Sequence, residues 1–251
     1  MQLSTRKVGV IYTCITGMYD ELLDHTYTNN PEWDYICFTD NFSIRSEHNL
    51  NWELRKLHYN NLDNVRNQRW HKLHPHLLFP DYDVSIWIDG NINIVNSIVF
   101  RDFEHAIDIN SLISIGPHPE RICLYDELYA CIEAGKDVES IMRKQVNFIR
   151  KTGFPRNSGL FENNIIFRKH HNDQIIKTMT DWWAIVEKYS RRDQLSLTYV
   201  AWKNNISISK LTDISYRHNP GIEMRYSNTH ITKEERRARR KRRIKSKKNQ
   251  P

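Results

Sequence analysis

The sequence predicts an α/β domain with a mostly parallel central sheet flanked by helices. Three observations carry the prediction. β-Branched and aromatic runs alternate with segments of helical period, the pattern of parallel strands joined by crossover helices. Three of those runs end abruptly in polar residues, at Gly17, at Asp40 and Asn41, and at Asp89, Gly90 and Asn91. At 251 residues, 39% of them hydrophobic and with 7 Trp and 12 Tyr, the chain can bury the core such a sheet needs, and 8 Gly and 8 Pro are too few for a low-complexity chain.

"KVGVIYTCITG" (7 to 17) is a β-branched run closed by Gly17, a first and central strand opening into a loop. "YDELLDHTY" predicts a short helix, "WDYICFTDN" (33 to 41) a second strand and "WELRKLH" (52 to 58) a third, weaker one. From Asp63 to Phe79 the period turns helical, with Asp63 or Asn64 as N-cap. "DVSIWIDGNINIV" is the next strand, and "SLISIGPHP" (111 to 119) a strand and turn. Two helices follow, in "LYDELYACIEAG" and in "VESIMRKQVNFIRKTG", the latter stopped by Gly153 and Pro155. "SGLFENNIIFRKH" (158 to 170) returns to strand, and residues 172 to 190 carry the apolar stripe of a long amphipathic helix. "RDQLSLTYVAWKNN" reads as a last helix and "ISISKL" as a last strand.

From Lys233 to Lys248 there are 11 Lys and Arg against Glu234 and Glu235, which leaves 26 basic and 28 acidic residues elsewhere, so the tail makes the formal charge of +7. The chain therefore divides into a domain, residues 1–230, and a basic tail, 231–251. The tail holds no aromatic residue, which argues against nucleic acid as its partner. It reads as a disordered or frayed-helical solubilising segment, or as one that docks electrostatically on an anionic membrane surface. Cys14, Cys37, Cys123 and Cys131 have no metal-site spacing and read as reduced structural thiols. No stretch approaches 18 apolar residues and the N-terminus lacks a signal-peptide core, so a cytoplasmic location, peripheral to the inner membrane face, is expected.

The stretch "SIWIDGNINI" (85 to 94) carries the chemistry. In an open parallel sheet the ligand crevice lies outside the carboxyl ends of the strands, which is where Asp89 would stand. A carboxylate there can hold Mg²⁺ or Mn²⁺ and through it a diphosphate; Asn91 can add an amide oxygen and Gly90 permits close approach. The plainer reading of Asp-Gly is a turn. On the preceding helix Arg69, Lys72 and His76 share one side, while Trp70, Leu73 and Leu77 lie on the adjacent apolar side with Arg66 among them. A cation turned inward needs an anionic partner, and a nucleoside diphosphate would suit Arg66, Arg69 and Lys72.

"RNQRWHKLHPHLLFPDYDVSIWIDGNINI" resembles the central block of the plant and bacterial glycosyltransferase-like family known as DUF616, related to nucleotide-sugar transferases of the GT-A fold. The likeness extends over roughly residues 8 to 220. It implies a GT-A-like, Rossmann-like single domain. It also implies an Asp-x-Asp metal site at the positions of Asp89 and Asn91, with Asn replacing the second Asp. "NSGLFENNIIFRKH" resembles the strand that carries sugar and acceptor contacts in such enzymes, which by position implicates Asn157, Ser158, Gly159, Glu162 and Asn163. "SRRDQLSLTYVAWK" resembles their Asp-Gln element, so Asp193 would lie near the transferred sugar with Gln194 on the donor; Asp193 also reads as a helix cap. His118 would join the acceptor side, His218 the metal, and Thr13, Gly17 and Asp40 the base and ribose. Glu162 or Asp193 would serve as base if the transfer inverts.

The function so implied is transfer of a sugar from a nucleotide-diphosphate donor to a glycan or lipid-linked acceptor, assisted by Mn²⁺ or Mg²⁺, in surface polysaccharide synthesis. Two rivals stand beside it. One is a metal-dependent, ceramidase-like hydrolase, although the chain has no HExxH or GxSxG motif. The other is a non-catalytic nucleic-acid-binding or scaffold protein that uses the tail.

Overall fold

The computed structural model describes residues 7–23, 30–44 and 51–225. Its seven-stranded sheet has the order β3-β2-β1-β4-β7-β6-β8, with β1 at Gly9–Ile15, β2 at Trp33–Thr39, β3 at Glu53–Lys56, β4 at Ser85–Ile88, β6 at Ile113–Pro117, β7 at Phe161–Arg168 and β8 at Ser209–Lys210. Only β7 runs against the others: it pairs antiparallel with β4 and β6, whereas β1–β2, β1–β4, β2–β3 and β6–β8 are parallel. This is the mostly parallel α/β sheet expected. A small second sheet joins β5 (Ile92–Ile94) antiparallel to β9 (Ile222–Met224).

Strands buried on both faces explain why the runs are apolar throughout. Along β1, Val10, Tyr12 and Cys14 enter the core on one face while Ile11 and Ile15 enter the core on the other. The first face is covered by α1 (Asn64–Leu73), α4 (Leu124–Glu133), α5 (Glu139–Lys151), α6 (Asp173–Lys188) and α7 (Leu197–Lys203), whose buried residues include Leu73, Leu128, Val146, Trp182 and Val200. The second is covered by α3 (Ile98–Asp108), through Val99, Phe100, Phe103 and Ala106.

Several elements differ from expectation. The helix predicted over 63 to 79 is two: Pro75 has no N–H for the carbonyl of His71, so α1 stops at Leu73 and a short α2 (Pro75–Leu78) restarts. That break turns Leu77 outward, 57% exposed, instead of placing it on the apolar side with Leu73. The single strand predicted through Val95 is broken by the turn at Asp89 to Asn91 into β4 and β5. The last predicted helix begins as a 3₁₀ turn over Asp193–Leu195 and becomes α7 only at Leu197. Residues 19 to 23 are not helical, and the rest of the helix predicted there, like the tail, lies outside the described residues.

Candidate active site

Parallel strands put their carboxyl ends on one edge, and the expected residues gather there. β4 alternates faces with period two, so Trp87 and Asp89 share a face, and the Trp87 indole Nε1 donates to Asp89 Oδ1 at 2.8 Å. From α1, Lys72 reaches the same carboxylate: its Nζ lies 3.4 Å from Asp89 Oδ1 and 2.8 Å from Asp193 Oδ2. The Lys72 side chain is 1% exposed and that of Asp193 4%. Arg69 adds its Nε at 3.4 Å from Asp193 Oδ2. Neither that Nε nor Asp193 Oδ2 has a well-directed hydrogen bond, so the group is joined by charge more than by bond direction.

The loop carrying Asp193 is held rigidly. The Trp182 indole donates to the Asp193 carbonyl at 3.0 Å, and the buried Gln145 amide takes Ser190 N–H at 2.9 Å while donating to the Leu195 carbonyl at 2.9 Å. Burial opposes ionisation of Asp193, but Arg69, Lys72 and Arg192 outweigh it and hold the carboxyl well below the usual carboxylate range. Burial likewise pulls the Lys72 ammonium down, against the attraction of Asp193 and Asp89. The result is a desolvated cation spanning two carboxylates at the end of a central strand.

On the donor side, Gly17 takes a left-handed conformation with φ of 60°, and a Cβ there would come within 1.9 Å of Asn64 Nδ2. Its N–H donates to both oxygens of Asp40, at 3.1 and 2.9 Å, which ties the ends of β1 and β2 together. Thr13 is buried inside β1 opposite Cys37, its hydroxyl without a hydrogen-bond partner among the described residues. Gly90 fits beneath Ile15, where a Cβ would meet Cγ1 at 3.1 Å. Arg66 is turned elsewhere: it donates to the carbonyls of Val186 and Tyr189 at the end of α6 and to Asp63. Its structural work is fastening α1 to α6.

The sugar and acceptor residues form a neighbouring group. Asp89 N–H donates to the Asn164 carbonyl at 2.8 Å, which sets the first residues of β7 beside the strand-end triplet. Asn163 is 6% exposed, and among the described residues both its amide atoms lack hydrogen-bond partners, as does Asn164 Oδ1. Gln194 Nε2 donates to the Phe161 carbonyl at 2.9 Å, and its Oε1 accepts from Arg192. Glu162 is occupied, one oxygen by Ser215 Oγ and the other by Arg217 Nε. His118 Nδ1 accepts the N–H groups of Glu120 and Arg121, while Nε2 lies 3.3 Å from Arg121 Nη2 and 3.7 Å from Glu127 Oε2. Asn157 and Ser158 are exposed in the turn before β7, with Gly159 at φ of 88°.

The three expected metal ligands lie on two turns. Asp89 and Asn91 are half-buried neighbours, and His218 is exposed on a 3₁₀ turn (Tyr216–His218). Among the described residues no three His, Cys, Asp or Glu side chains meet as a metal-ligating group. A carboxylate and an amide oxygen fit a hard divalent cation that completes its shell with waters and substrate phosphates, and do not make an all-protein cage. The residues that sequence reading missed are Trp87, Arg192, Ser215 and Arg217. The period of two along β4 was enough to reveal Trp87; Ser215 and Arg217 meet Glu162 only through folding.

The profile of the family described as "TOD1/MUCI70, glycosyltransferase-like domain" matches residues 4–218. The chain belongs to that family. A curated relative, "Probable hexosyltransferase MUCI70" of Arabidopsis thaliana, is 29% identical over 169 residues, covering 62% of this TOD1/MUCI70-family chain. The chain spans 29% of that relative's length. Two solved structures are similar at low identity. The WbbM bifunctional glycosyltransferase has a TM-score of 0.47 and 13% identity, covering 84% of this chain and 39% of its own. The galactosyltransferase LgtC, in complex with donor and acceptor sugar analogs, has a TM-score of 0.43 and 10% identity, covering 78% of this chain and 70% of its own.

Proposed function

We propose that this domain transfers a hexosyl residue from a nucleoside-diphosphate sugar to a glycan or lipid-linked acceptor. The observation that carries the reading is the Asp89–Lys72–Asp193 group, a buried ammonium between two carboxylates on the edge where an α/β sheet binds its ligand. Asp89 and Asn91 would hold Mn²⁺ or Mg²⁺ together with the donor's phosphates. When bound, that cation neutralises charge on the leaving diphosphate.

The chain's own residues do the rest. Lys72 and Arg69 place fixed positive charge beside the position where the diphosphate gains negative charge. Asp193, kept ionised, faces the sugar as positive charge develops at its anomeric carbon. Asn163 and Asn164 offer carboxamides for the sugar hydroxyls, and Gln194 holds the Asp193 loop to β7. A general base works best with a pKa near the operating pH. Asp193 is held far below that range and Glu162 has both oxygens engaged, so the arrangement favours transfer with retention at the anomeric carbon. A cytoplasmic location beside an anionic membrane, and a role in polysaccharide assembly, suit the basic tail.

The test is incubation of the full chain with UDP- and GDP-hexoses and Mn²⁺ or Mg²⁺, scoring release of nucleoside diphosphate. We expect slow donor hydrolysis that Asp89→Ala abolishes while thermal unfolding stays cooperative. Nucleotide release from no donor, or release unaffected by Asp89→Ala, overturns the reading.

A further inference from the structure

We infer that Arg217 is an anion-binding fork at the rim of the site, held ready by Glu162 and recognising a phosphate or carboxylate of a substrate. The inference rests on the transferase reading. Glu162 is a carboxylate with a side chain 2% exposed, and both its oxygens are committed, to Ser215 Oγ and to Arg217 Nε. Arg217 N–H in turn donates to Ser215 Oγ at 3.1 Å, so three groups close a ring around one buried carboxylate.

The ring fixes more than a charge. A guanidinium is planar, so anchoring its Nε on Glu162 restricts where the two terminal amino groups can lie. Those two groups have no hydrogen-bond or ion-pair partner among the described residues, while the side chain as a whole is 48% exposed. A surface arginine is ordinarily mobile and loses entropy when it captures a ligand; this one is already oriented by a buried anchor. Planar, paired donors match the oxygens of a carboxylate or phosphate.

The fork is also close to the chemistry. Glu162 is two residues along β7 from Asn164, whose carbonyl accepts Asp89 N–H, which is about 7 Å of extended backbone at most. Glu162 also follows Phe161, whose carbonyl accepts Gln194 beside Asp193. Two substrate groups carry suitable charge there: the donor's diphosphate, and an acid group on the acceptor sugar. The shared chemistry is an oxyanion.

Arg217→Gln and Arg217→Lys separate the sources. Calorimetry with UDP and with pyrophosphate probes the donor arm. Saturation-transfer NMR with glucuronate and glucose 6-phosphate, against glucose, probes the acceptor arm. We expect Arg217→Gln to weaken one class of anion about tenfold or more, leave glucose unchanged and, because buried Glu162 loses its cation, lower the melting temperature while unfolding stays cooperative; Arg217→Lys should keep the melting temperature nearer the parent's yet recover only part of the affinity, having the charge without the fork. Loss confined to UDP and pyrophosphate assigns the diphosphate, and loss confined to the sugar acids assigns the acceptor. Parent and Arg217→Gln binding every anion within twofold of each other overturns the fork alone. A parent that binds neither UDP nor pyrophosphate yet captures sugar acids through Arg217 overturns the donor reading alone.

Discussion

At the residue scale, the charge that organises the site is Lys72. A buried ammonium is tolerated only while its partners are present, and removing one leaves an uncompensated charge. Asp193→Asn leaves Lys72 with Asp89 alone, at 3.4 Å, and should cost on the order of 3 kcal/mol in urea unfolding at neutral pH. Lys72→Met should cost less, because Asp193 keeps Arg69 and Arg192. The pH dependence has a definite sign. Asp193 has a folded pKa depressed below its unfolded value of about 3.9, so its contribution is complete above that pH and is lost as pH falls toward the folded value. The stability gap between parent and Asp193→Asn should therefore narrow as unfolding is repeated down to about pH 3. A gap that stays constant from neutral to acid pH contradicts the assignment. Asp89 was legible from its place after an apolar run. That two carboxylates would flank Lys72 was not, because the helical period gives the side a residue faces and not the anion that reaches it.

At the element scale, the position of Lys72 depends on how α1 ends. Pro75 interrupts the helical ladder, and the orphaned Lys72 carbonyl is taken by two buried side chains: the Tyr12 hydroxyl donates to it at 3.0 Å and Arg168 Nη1 at 2.6 Å. Arg168 Nη2 donates to Tyr12 Oη at 2.6 Å, so a closed triangle from β1 and β7 clamps the last turn of α1. Tyr12→Phe removes one donor to the carbonyl and the acceptor for a buried guanidinium N–H. It should cost about 2 kcal/mol and lower donor turnover without touching substrate. Thermal unfolding beside the nucleotide-release assay checks this, and unchanged values in both would show the clamp to be idle. The strands and the long helix α6 were readable because β-branched runs and a 3.6-residue stripe announce themselves. α3 carries a comparable stripe in Val99, Phe100, Phe103 and Ala106 and is legible on the same ground, although it is absent from the elements read from the sequence above. β8 was legible in "ISISKL", although only Ser209 and Lys210 pair, whereas β9 pairs with β5 across more than a hundred residues of chain, a distance no local pattern spans.

At the scale of the whole molecule, the site is assembled by direction: six strands run one way, so the loops after β1, β2, β4 and β6 and the loop before β7 meet on one edge. The C-terminal part of the domain closes that edge. β9 pairs with β5, and Arg225 N–H donates to the Asn91 carbonyl at 2.8 Å, which sets residue 225 against the strand-end triplet. Two truncations should therefore behave differently. Deleting 233–251 removes 11 Lys and Arg but no residue of either sheet, so melting temperature and turnover of a soluble acceptor should stay near the parent's, while binding to vesicles of anionic lipid falls and loses its salt sensitivity. Deleting from Gly221 onward removes β9 as well and uncovers Ile92 and Ile94, both fully buried against it, so stability should drop by several kcal/mol and donor turnover with it. Vesicle flotation, thermal unfolding and nucleotide release on the two truncated proteins decide the matter. If the shorter deletion already abolishes donor turnover in solution, the basic segment takes part in the chemistry itself, and confining its role to location is wrong.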